Sequence, residues 1–382
     1  MKKFLDCISV VGTTPSRFQG TKKYVSTGAV ATTEIDESEV VEVSYEDRPS
    51  RANLSAEAGD ILFAKMQGTR KTLLLDSETE EHIYSTGFYA VRANPEVITT
   101  ECLYYLVDSE LFLTQKDKHC SGATQKAITN GGLAKIEIRV PPLSEQGVLT
   151  EKLRYLTQLI ADKRKQLELF DEVKKSRFIE MFGEPESNPM HWEMLPLENC
   201  LTVLGGYAFK SEEFKASGIP VLRIGNINTG VFTPTNMVYW AKDVSLERYQ
   251  VLPGDLVISL TGTVGKDDYG NVCILGNAYP LYYLNQRNAK LNLGESLNKH
   301  YLSELLKFSQ IKKKLTGISR GVRQANISNR DILNLVVPIP PIELQDQYAA
   351  FVEQTDKSKF EIQQSLEKLE TLKKALMQKY FG

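Results

Sequence analysis

The feature that most constrains this chain is an internal duplication. Gly122 and Gln125 recur as Gly321 and Gln324, and 321 − 122 gives an offset of 199 positions. The same offset continues without a gap through two Pro-Pro pairs and two Phe-Gly dipeptides, which are Pro141-Pro142 with Pro340-Pro341 and Phe182-Gly183 with Phe381-Gly382. Chance similarity between two amphipathic helices would not align Gly, Gln and Pro-Pro positions. The chain therefore contains two copies of one unit.

Each copy begins with a stretch that predicts mixed α+β structure. Gly59-Asp60 and Gly254-Asp255 precede apolar runs at an offset of 195, so the loops of the two copies differ in length. Short apolar runs predict strands at 40–43, 61–64 and 88–91 in the first copy and at 219–224, 256–260 and 272–275 in the second. Helical spacing predicts one helix over 101–112 and another over 299–315.

After each Pro-Pro pair, the hydrophobic period becomes that of a coiled coil. The predicted seam positions of the first copy are Leu149, Leu153, Leu156, Ile160, Lys163, Leu167, Phe170, Lys174, Arg177 and Met181, and adding 199 gives those of the second. An apolar seam on a long helix needs a partner in water. We expect the two helices to pack against each other in antiparallel fashion; the alternative is that each docks separately on its own domain.

Composition excludes several classes of protein. The chain has 382 residues, with 46 Lys and Arg against 48 Asp and Glu, and a net charge of −2 rules out a uniformly basic nucleic-acid coat. There is no apolar stretch long enough to span a bilayer and no signal-peptide pattern, which predicts a cytoplasmic protein without a membrane partner. The five cysteines and four histidines lack metal-ligand spacing, so neither a metal site nor thiol catalysis is expected.

The order of these segments resembles the specificity subunit of type I restriction-modification systems. The resemblance rests on the two junctions at 140–146 and 339–345, on the Phe-Gly ends of both helices, and on Trp192 with the segments 205–210 and 218–224. It covers essentially the whole chain. It implies an α+β fold with two globular target-recognition domains in tandem, separated by two long helices that pack as an antiparallel coiled coil with pseudo-twofold symmetry.

The resemblance also implies a division of labour. Residues 1–142 and 184–341 would be target-recognition domains 1 and 2, and residues 143–183 and 342–382 would be conserved helical spacers 1 and 2. The partners implied are double-stranded DNA with a split recognition sequence, two methyltransferase subunits, and motor-nuclease subunits. No cofactor is expected in this chain, whereas the partner subunits would use S-adenosylmethionine, ATP and Mg.

The sequence itself carries no catalytic motif that we can identify. An adenine methyltransferase needs Asn or Asp before Pro-Pro-aromatic, but here Val140 and Ile339 stand before the two Pro-Pro pairs. The segment 262–266 resembles a phosphate-binding loop, yet its first Gly is misplaced and Asp267 follows in place of Ser or Thr. We therefore expect a non-catalytic chain.

Candidate DNA contacts are side chains that can hold phosphates or reach base edges. The Gly-x-x-Gln segment of the second copy combines both kinds, and that of the first copy has Thr124 where the second has Arg323. An equally weighted alternative is that this segment only shapes the approach to the next strand. The candidate residues are Lys22, Lys23, Lys65, Gln67, Arg70, Lys71, Thr124, Gln125 and Lys126 in the first copy, and Lys210, Arg223, Asn226, Thr263, Lys266, Arg320, Arg323, Gln324 and Asn326 in the second.

Two function classes remain at this point. In the first, each domain reads one half-site in the major groove, about one helical turn apart, and the helices set the spacer. In the second, the helices scaffold a protein complex and the chain binds no DNA.

Overall fold

The computed structural model describes residues 1–263, 266, 268–317 and 324–382. It divides into two compact units, one formed by Met1–Lys165 with Gln363–Gly382 and the other by Gln166–Ile362. Each long helix therefore begins in one unit and ends in the other.

The first unit contains ten strands, three short α-helices and the start of the first long helix. The strands are β1 (Lys2–Lys3), β2 (Ile8–Val11), β3 (Thr21–Val25), β4 (Val41–Ser44), β5 (Ala52–Leu54), β6 (Ile61–Ala64), β7 (Thr72–Leu74), β8 (Ile83–Ser85), β9 (Phe88–Ala93) and β10 (Glu137–Ile138). The helices are α1 (Thr100–Val107), α2 (Glu110–Lys118), α3 (Asn130–Leu133) and α4 (Leu143–Phe182).

The described part of the second unit has the same elements and one additional strand pair. Its strands are β11 (Glu193–Pro196), β12 (Leu201–Gly205), β13 (Ile219–Leu222), β14 (Val238–Trp240), β15 (Gln250–Val251), β16 (Leu256–Ser259), β17 (Thr261–Thr263), β18 (Val272–Ile274), β19 (Tyr282–Leu284), β20 (Asn288–Leu293), β21 (Gln324–Asn326) and β22 (Val336–Ile339). Its helices are α5 (Lys299–Leu305), α6 (Ser309–Thr316), α7 (Asn329–Leu333) and α8 (Ile342–Phe381).

Both units have the same sheet topology. The first has one four-stranded sheet in the order β2-β9-β6-β7 and another in the order β4-β3-β8-β5, and the second repeats them as β12-β20-β16-β18 and β14-β13-β19-β15. In the second sheet of each unit one pair is parallel, β3 with β8 and β13 with β19. This agreement confirms the duplication at the level of the fold and the predicted α+β class.

The central strand of each unit separates two hydrophobic cores. Ile61 and Phe63 of β6 pack with the helices, whereas Leu62 and Ala64 pack against the second sheet. Successive side chains of a strand point to opposite faces, and both faces of β6 are covered. A continuous apolar run, rather than an alternating one, is the sequence pattern of such a strand.

The predicted helices 101–112 and 299–315 are each interrupted in the structure. The first is divided into α1 and α2, where the Ser109 side chain accepts a hydrogen bond from the backbone N–H of Phe112. This N-cap begins a new helix. The second is also divided, into α5 and α6, although the N-cap residue of α6, Phe308, makes no side-chain capping bond. The prediction of one continuous helix at each place is therefore wrong.

The long helices are antiparallel in the contacts of each unit. In the second unit, Asp171 pairs with Lys359 at 3.0 Å, and three residues further along α4, Lys174 pairs with Asp356. In the first unit, the first part of α4 packs against the last part of α8, with Leu153 and Phe381 in one core. Antiparallel packing, predicted from the order of domains and helices along the chain, is confirmed within each unit.

The seam shifts near the C-terminal end of each helix. The predicted positions Arg177 and Met181 are only half-buried, while Phe178 and Phe182 are buried. The same shift occurs in α8, where Met377 and Phe381 are buried. The aromatic side chains of α4 turn toward α5, where the Phe178 and Tyr301 rings stack at 5.3 Å. Packing on the globular body therefore replaces the heptad pattern at this end.

A buried glutamine holds each helix to its domain. The Gln146 side chain accepts a hydrogen bond from the backbone N–H of Thr99 (2.8 Å) and donates to the carbonyls of Val97 (3.0 Å) and Pro141 (2.9 Å). Gln345 does the same in the second unit, with Asn298, Ser296 and Pro340 as its partners. Both side chains are fully buried. The Pro-Pro-x-x-x-Gln pattern is thus a structural joint.

Candidate DNA-binding interface

The Gly-Asp motif of each unit shapes the turn that begins the central strand. Gly59 has a φ of +86°, in the left-handed region that favours glycine. The Asp60 carboxylate accepts a hydrogen bond from the Glu57 backbone at 2.9 Å and pairs with Arg92 at 2.6 Å. In the second unit, Asp255 pairs with a lysine of β20 at 2.7 Å. These charges are structural, and they fix where the strand begins.

The end of that strand meets the Gly-x-x-Gln segment in both units. The backbone N–H of Ile128 donates to Lys65 at 2.9 Å, and that of Ile327 donates to Leu260 at 2.8 Å. These two bonds are equivalent across the duplication. The Gly-x-x-Gln segment of the first unit, and the described residues from Gln324 onward in the second, therefore lie beside the residues that follow the central strand.

The first unit presents this segment as a tight loop. Ser121 and Ala127 close it by exchanging backbone hydrogen bonds of 2.9 and 3.0 Å, and Gly122 has a φ of +136°. A Cβ at Gly122 would lie 2.5 Å from the Gln125 carbonyl oxygen, so the turn requires glycine. The three candidate side chains of the loop, Thr124, Gln125 and Lys126, are exposed.

The described residues of the second unit form a two-stranded ribbon at this place, whose counterpart in the first unit is the single antiparallel bridge of Met66 with Ala127. Strands β17 and β21 are antiparallel, with Thr261 opposite Asn326 and Thr263 opposite Gln324. Asn326 is exposed. The Thr263 hydroxyl donates to Asp268 at 2.9 Å, and the Thr263 backbone N–H donates to the same carboxylate, which lowers the pKa of Asp268. The major groove of DNA is wide enough to admit a two-stranded β-ribbon, whose side chains can then reach the base edges.

Lys65 and Gln67 are also at this edge of the first unit, and both are held. The Lys65 ammonium donates to the Thr86 carbonyl at 2.9 Å and lies 4.5 Å from the centre of the Tyr89 ring. Burial lowers the pKa of Lys65. The Gln67 amide donates to the Asp117 carbonyl at 3.3 Å. Both side chains stay at the edge, with fewer free donors than the sequence alone indicates.

Arg70 and Lys71 are bound within the first unit. The Arg70 guanidinium makes two hydrogen bonds to the Asp108 carboxylate, at 3.0 and 2.9 Å, which raises the pKa of Arg70. The Lys71 ammonium donates to the Thr27 carbonyl. These cations fix a loop and reach DNA only if these bonds are exchanged.

Four candidate residues lie on other elements of the two units. Lys22 and Lys23 are on β3, where they pair with Glu81 and Glu37, each at 2.9 Å. The bond to Glu37 raises the pKa of Lys23. In the second unit, Lys210 lies 3.6 Å from the carboxylate of a neighbouring glutamate, and Arg223 donates to a backbone carbonyl at 2.6 Å. The structure does not bring these four to the ribbon or the tight loop.

The Asn226 side chain is buried and makes its hydrogen bonds inside the second unit. It is 3% exposed, accepts from the Arg223 backbone N–H, and donates to the carbonyls of Thr233 and Thr235, each at 3.0 Å. An amide with its bonds satisfied inside the protein has none to offer a base edge. The expectation that Asn226 contacts DNA is corrected on this ground.

The remaining candidates complete the ribbon side. Lys266 is exposed and follows β17 closely. Gln324 lies in β21 by its backbone pairing. Arg320 and Arg323 lie outside the described residues.

One residue at this edge was missed by sequence reasoning. Lys116 of α2 is fully buried, and its ammonium donates to the carbonyls of Met66 (2.8 Å) and Thr69 (3.1 Å). It thereby holds the loop after β6 in place. A lysine in an amphipathic helix has no sequence signal for such a position, since the carbonyls it meets are about 50 residues away in the chain.

Known proteins share this architecture. A model of the type I restriction modification DNA specificity domain matches the chain twice, at residues 12–169 and 189–374. The chain belongs to this family. The family assignment supports a DNA-specificity role over a scaffolding adaptor, and it identifies the chain as a non-catalytic specificity component.

Two curated relatives and one solved structure illustrate the similarity. The specificity subunit of the type I restriction enzyme MjaVIII from Methanocaldococcus jannaschii is 27% identical over 260 residues, 63% of this chain and 60% of that protein. The EcoKI specificity subunit of Escherichia coli K12 is 23% identical over 84% of this chain and 74% of its own length. A chain from a structural study of complex assembly in a type I system aligns with a TM-score of 0.60 and 22% identity, covering 99% of this chain and 96% of that one. That likeness shows the fold.

The described residues contain no group of three or more His, Cys, Asp or Glu side chains placed to hold a metal ion. Among the same residues, no helix is both long and apolar enough to cross a membrane.

Proposed function

We propose that this specificity component reads a split DNA sequence, one half with each unit. The target-recognition domains would be residues 1–142 and 184–341, and the helical spacers would be residues 143–183 and 342–382. The observation that carries the proposal is the duplicated edge where the central strand meets the Gly-x-x-Gln segment, because the same backbone bond holds it in both units.

The side chains at these edges suit base reading. Gln125 in the first unit and Asn326 in the second are exposed amides, which can pair with the N6 and N7 atoms of adenine. Lys126 and Lys266 are exposed cations beside them, suited to phosphate. The different side chains of the two edges support different half-sites.

The chain would act within a larger assembly. We propose that it recruits two methyltransferase subunits and, in the restriction complex, motor-nuclease subunits. S-adenosylmethionine, ATP and Mg would then be bound by those subunits. A net charge of −2 supports this arrangement, because partner subunits would supply much of the phosphate contact.

Methylome sequencing with and without this gene tests the proposal. We expect a bipartite adenine-methylation motif that disappears when the gene is deleted and returns when it is restored. An unchanged methylome in a strain with active methyltransferase subunits would contradict the proposal.

Single substitutions then assign the two edges. Gln125→Ala should relax or abolish methylation at one half of the motif, and Asn326→Ala should do so at the other half. Exposed residues away from both edges supply the control: Lys135→Gln should leave the motif unchanged. If both amide substitutions altered the same half, the assignment of one half-site to each unit would be wrong.

A further inference from the structure

The second unit contains a large cleft next to the β17–β21 ribbon. It has a volume of about 1200 Å³ and is enclosed by α4, α8, the α5–α6 pair and the loop 229–232. The ribbon and the cleft share a wall: Tyr269 packs under Gly262 of β17, and its hydroxyl donates to Thr316 of α6 at 2.9 Å. A ligand lying on the ribbon would therefore continue into this cleft.

Among the described residues, the lining of the cleft is positive. Six lysines face it against three carboxylates, those of Asp171, Glu304 and Asp356. Each carboxylate is paired with a lysine of the same lining, namely Lys359, Lys307 and Lys174 respectively. Among the described lining residues, lysines therefore outnumber carboxylates by three, and the lysines that take no part in these three pairs are Lys266, Lys312 and Lys313.

These three lysines differ in depth. Lys312 is 8% exposed, and its ammonium donates to the Asn271 side chain at 2.5 Å on the cleft wall. Lys266 and Lys313 are exposed at the rim. Exposed lysine ammonium groups around a concave surface suit the phosphodiester oxygens of a nucleic-acid backbone.

The corresponding cleft of the first unit has a different charge. It has a volume of about 500 Å³ and is lined by four cations and four carboxylates. Asp108 occupies the position of Lys307, 199 residues earlier, and is itself bound to Arg70. Glu110 adds a carboxylate where the second unit has Ser309. This balanced lining offers no excess charge to phosphate.

We propose that the lysine cleft of the second unit binds the DNA backbone beside the half-site that this unit reads, and that the first unit has no such grip. The inference rests on the proposed function. It adds an electrostatic asymmetry: one half-site is held by reading contacts and a phosphate clamp, the other by reading contacts with much less clamping. Because the clamp contacts only phosphates, it strengthens binding without changing the sequence that is read.

Salt dependence of binding tests this inference. The Lys266→Gln/Lys313→Gln double variant, in the full chain with its methyltransferase subunits, should bind a duplex with the methylated motif about 10- to 100-fold more weakly at about 0.1 M salt. The slope of log affinity against log salt should flatten by about 2, since each lost phosphate contact lowers it by about 0.9. The ratio between the affinity for the motif and the affinity for a scrambled duplex should stay the same.

Two controls separate charge at the cleft from charge in general. Lys135→Gln/Lys242→Gln removes two exposed lysines that do not line the cleft and should leave the slope within about 0.5 of wild type. Lys266→Arg/Lys313→Arg keeps the charge and should restore most of the affinity.

Neutral methylphosphonate linkages locate the contact on the DNA. Placed beside one half-site, they should weaken wild-type binding strongly and the glutamine double variant little; placed beside the other half-site, they should affect the two proteins equally. An unchanged salt slope in the glutamine variant would overturn the inference. Equal effects of the neutral linkages at both half-sites would do the same. So would a glutamine variant that no longer assembles with its partner subunits but keeps the wild-type salt slope of DNA binding. Failure of the proposed function gives a different result, since the wild-type complex would then show no preference for the motif.

Discussion

The two units share their framework and differ at the surfaces where a ligand would lie. Both have the same two sheets, the same buried glutamine at the helix junction and the same turn before the central strand. Among the described residues they differ in the pairing beside that strand, a single bridge in the first unit and the three-residue ribbon of β17 and β21 in the second, and in the charge of the neighbouring cleft. A duplicated scaffold can thus carry two different reading surfaces, because the side chains that hold it together are not those that face outward.

The helices show the same contrast inside the core. Lys174 and Lys373 are equivalent positions, 199 residues apart. Lys174 pairs with Asp356 of the facing helix, whereas Thr157 stands at the position equivalent to Asp356 and lines the same cleft as Lys373. Burial lowers the pKa of Lys373. The two ends of the helix pair are therefore built alike but differ in how a lysine is compensated.

Lengthening both helices should produce the largest change. Four residues inserted after Ala161 and four more after Phe360, its equivalent, would add roughly 6 Å to each helix. If the helices set the distance between half-sites, the spacer of the methylated motif should grow by about two base pairs, at roughly 3.4 Å each. Methylome sequencing reads the spacer directly. An active variant with the original spacer would exclude the helices as the ruler.

The buried glutamines should matter equally in the two units. Gln146→Met leaves one backbone N–H and two carbonyls without a partner in a buried place, and Gln345→Met does the same. Each should lower the free energy of unfolding of its own unit by about 2–4 kcal/mol. Native-state hydrogen exchange of each unit measures this separately. A large effect in one unit and none in the other would break the structural equivalence.

Exchanging the residues at the two equivalent positions 157 and 356 should change the stability of the two units in opposite directions. Asp356→Thr leaves Lys174, whose side chain is 10% exposed, without its ion pair. The second unit should be destabilised by about 1–3 kcal/mol. This is less than the loss expected for a fully buried pair, because the Asp356 side chain is half exposed. Thr157→Asp places a further carboxylate in the cleft that Lys373 lines and should stabilise the first unit by less than about 1 kcal/mol. The same exchange experiment compares both. Destabilisation of the first unit by Thr157→Asp would show that the two sites are not equivalent.

The pH dependence of stability should show a smaller difference between the two units. The His300 side chain of α5 is 11% exposed, and burial lowers its pKa, with Lys299 and Lys174 acting in the same direction and Glu353 and Asp356 in the opposite one. Its contribution to stability is therefore fully present above the unfolded-state pKa of about 6.5 and is lost as pH falls through the lower folded-state pKa. Glu101 holds the equivalent place in the first unit and is exposed.

His300→Gln checks this directly. The free energy of opening of the second unit should fall less between pH 7 and pH 5 in the variant than in wild type, while that of the first unit should be unaffected by the substitution. An unchanged pH dependence in the second unit would rule out the assigned burial effect.

The duplication, the α+β class and the two long helices could be predicted from the sequence, because Pro-Pro, Gly and heptad positions are local signals. The seam shift to Phe178 could not, since it depends on Tyr301 of α5, which is distant in the chain. For the candidate interface, sequence reasoning located the exposed Gln125 and Asn326 but also selected Asn226, whose carbonyl partners only the folded loop reveals. A sequence shows which side chains are polar. It does not show which of them are buried by hydrogen bonds to distant parts of the folded chain.

The central claim is that each unit reads one half of a split target. It is tested most directly by the methylome of a strain whose chain consists of residues 1–183 followed by a second copy of the same residues. Because both reading surfaces are then identical, the account predicts a motif with two identical half-sites, both matching one half of the wild-type motif. A motif that kept the other wild-type half-site would contradict it.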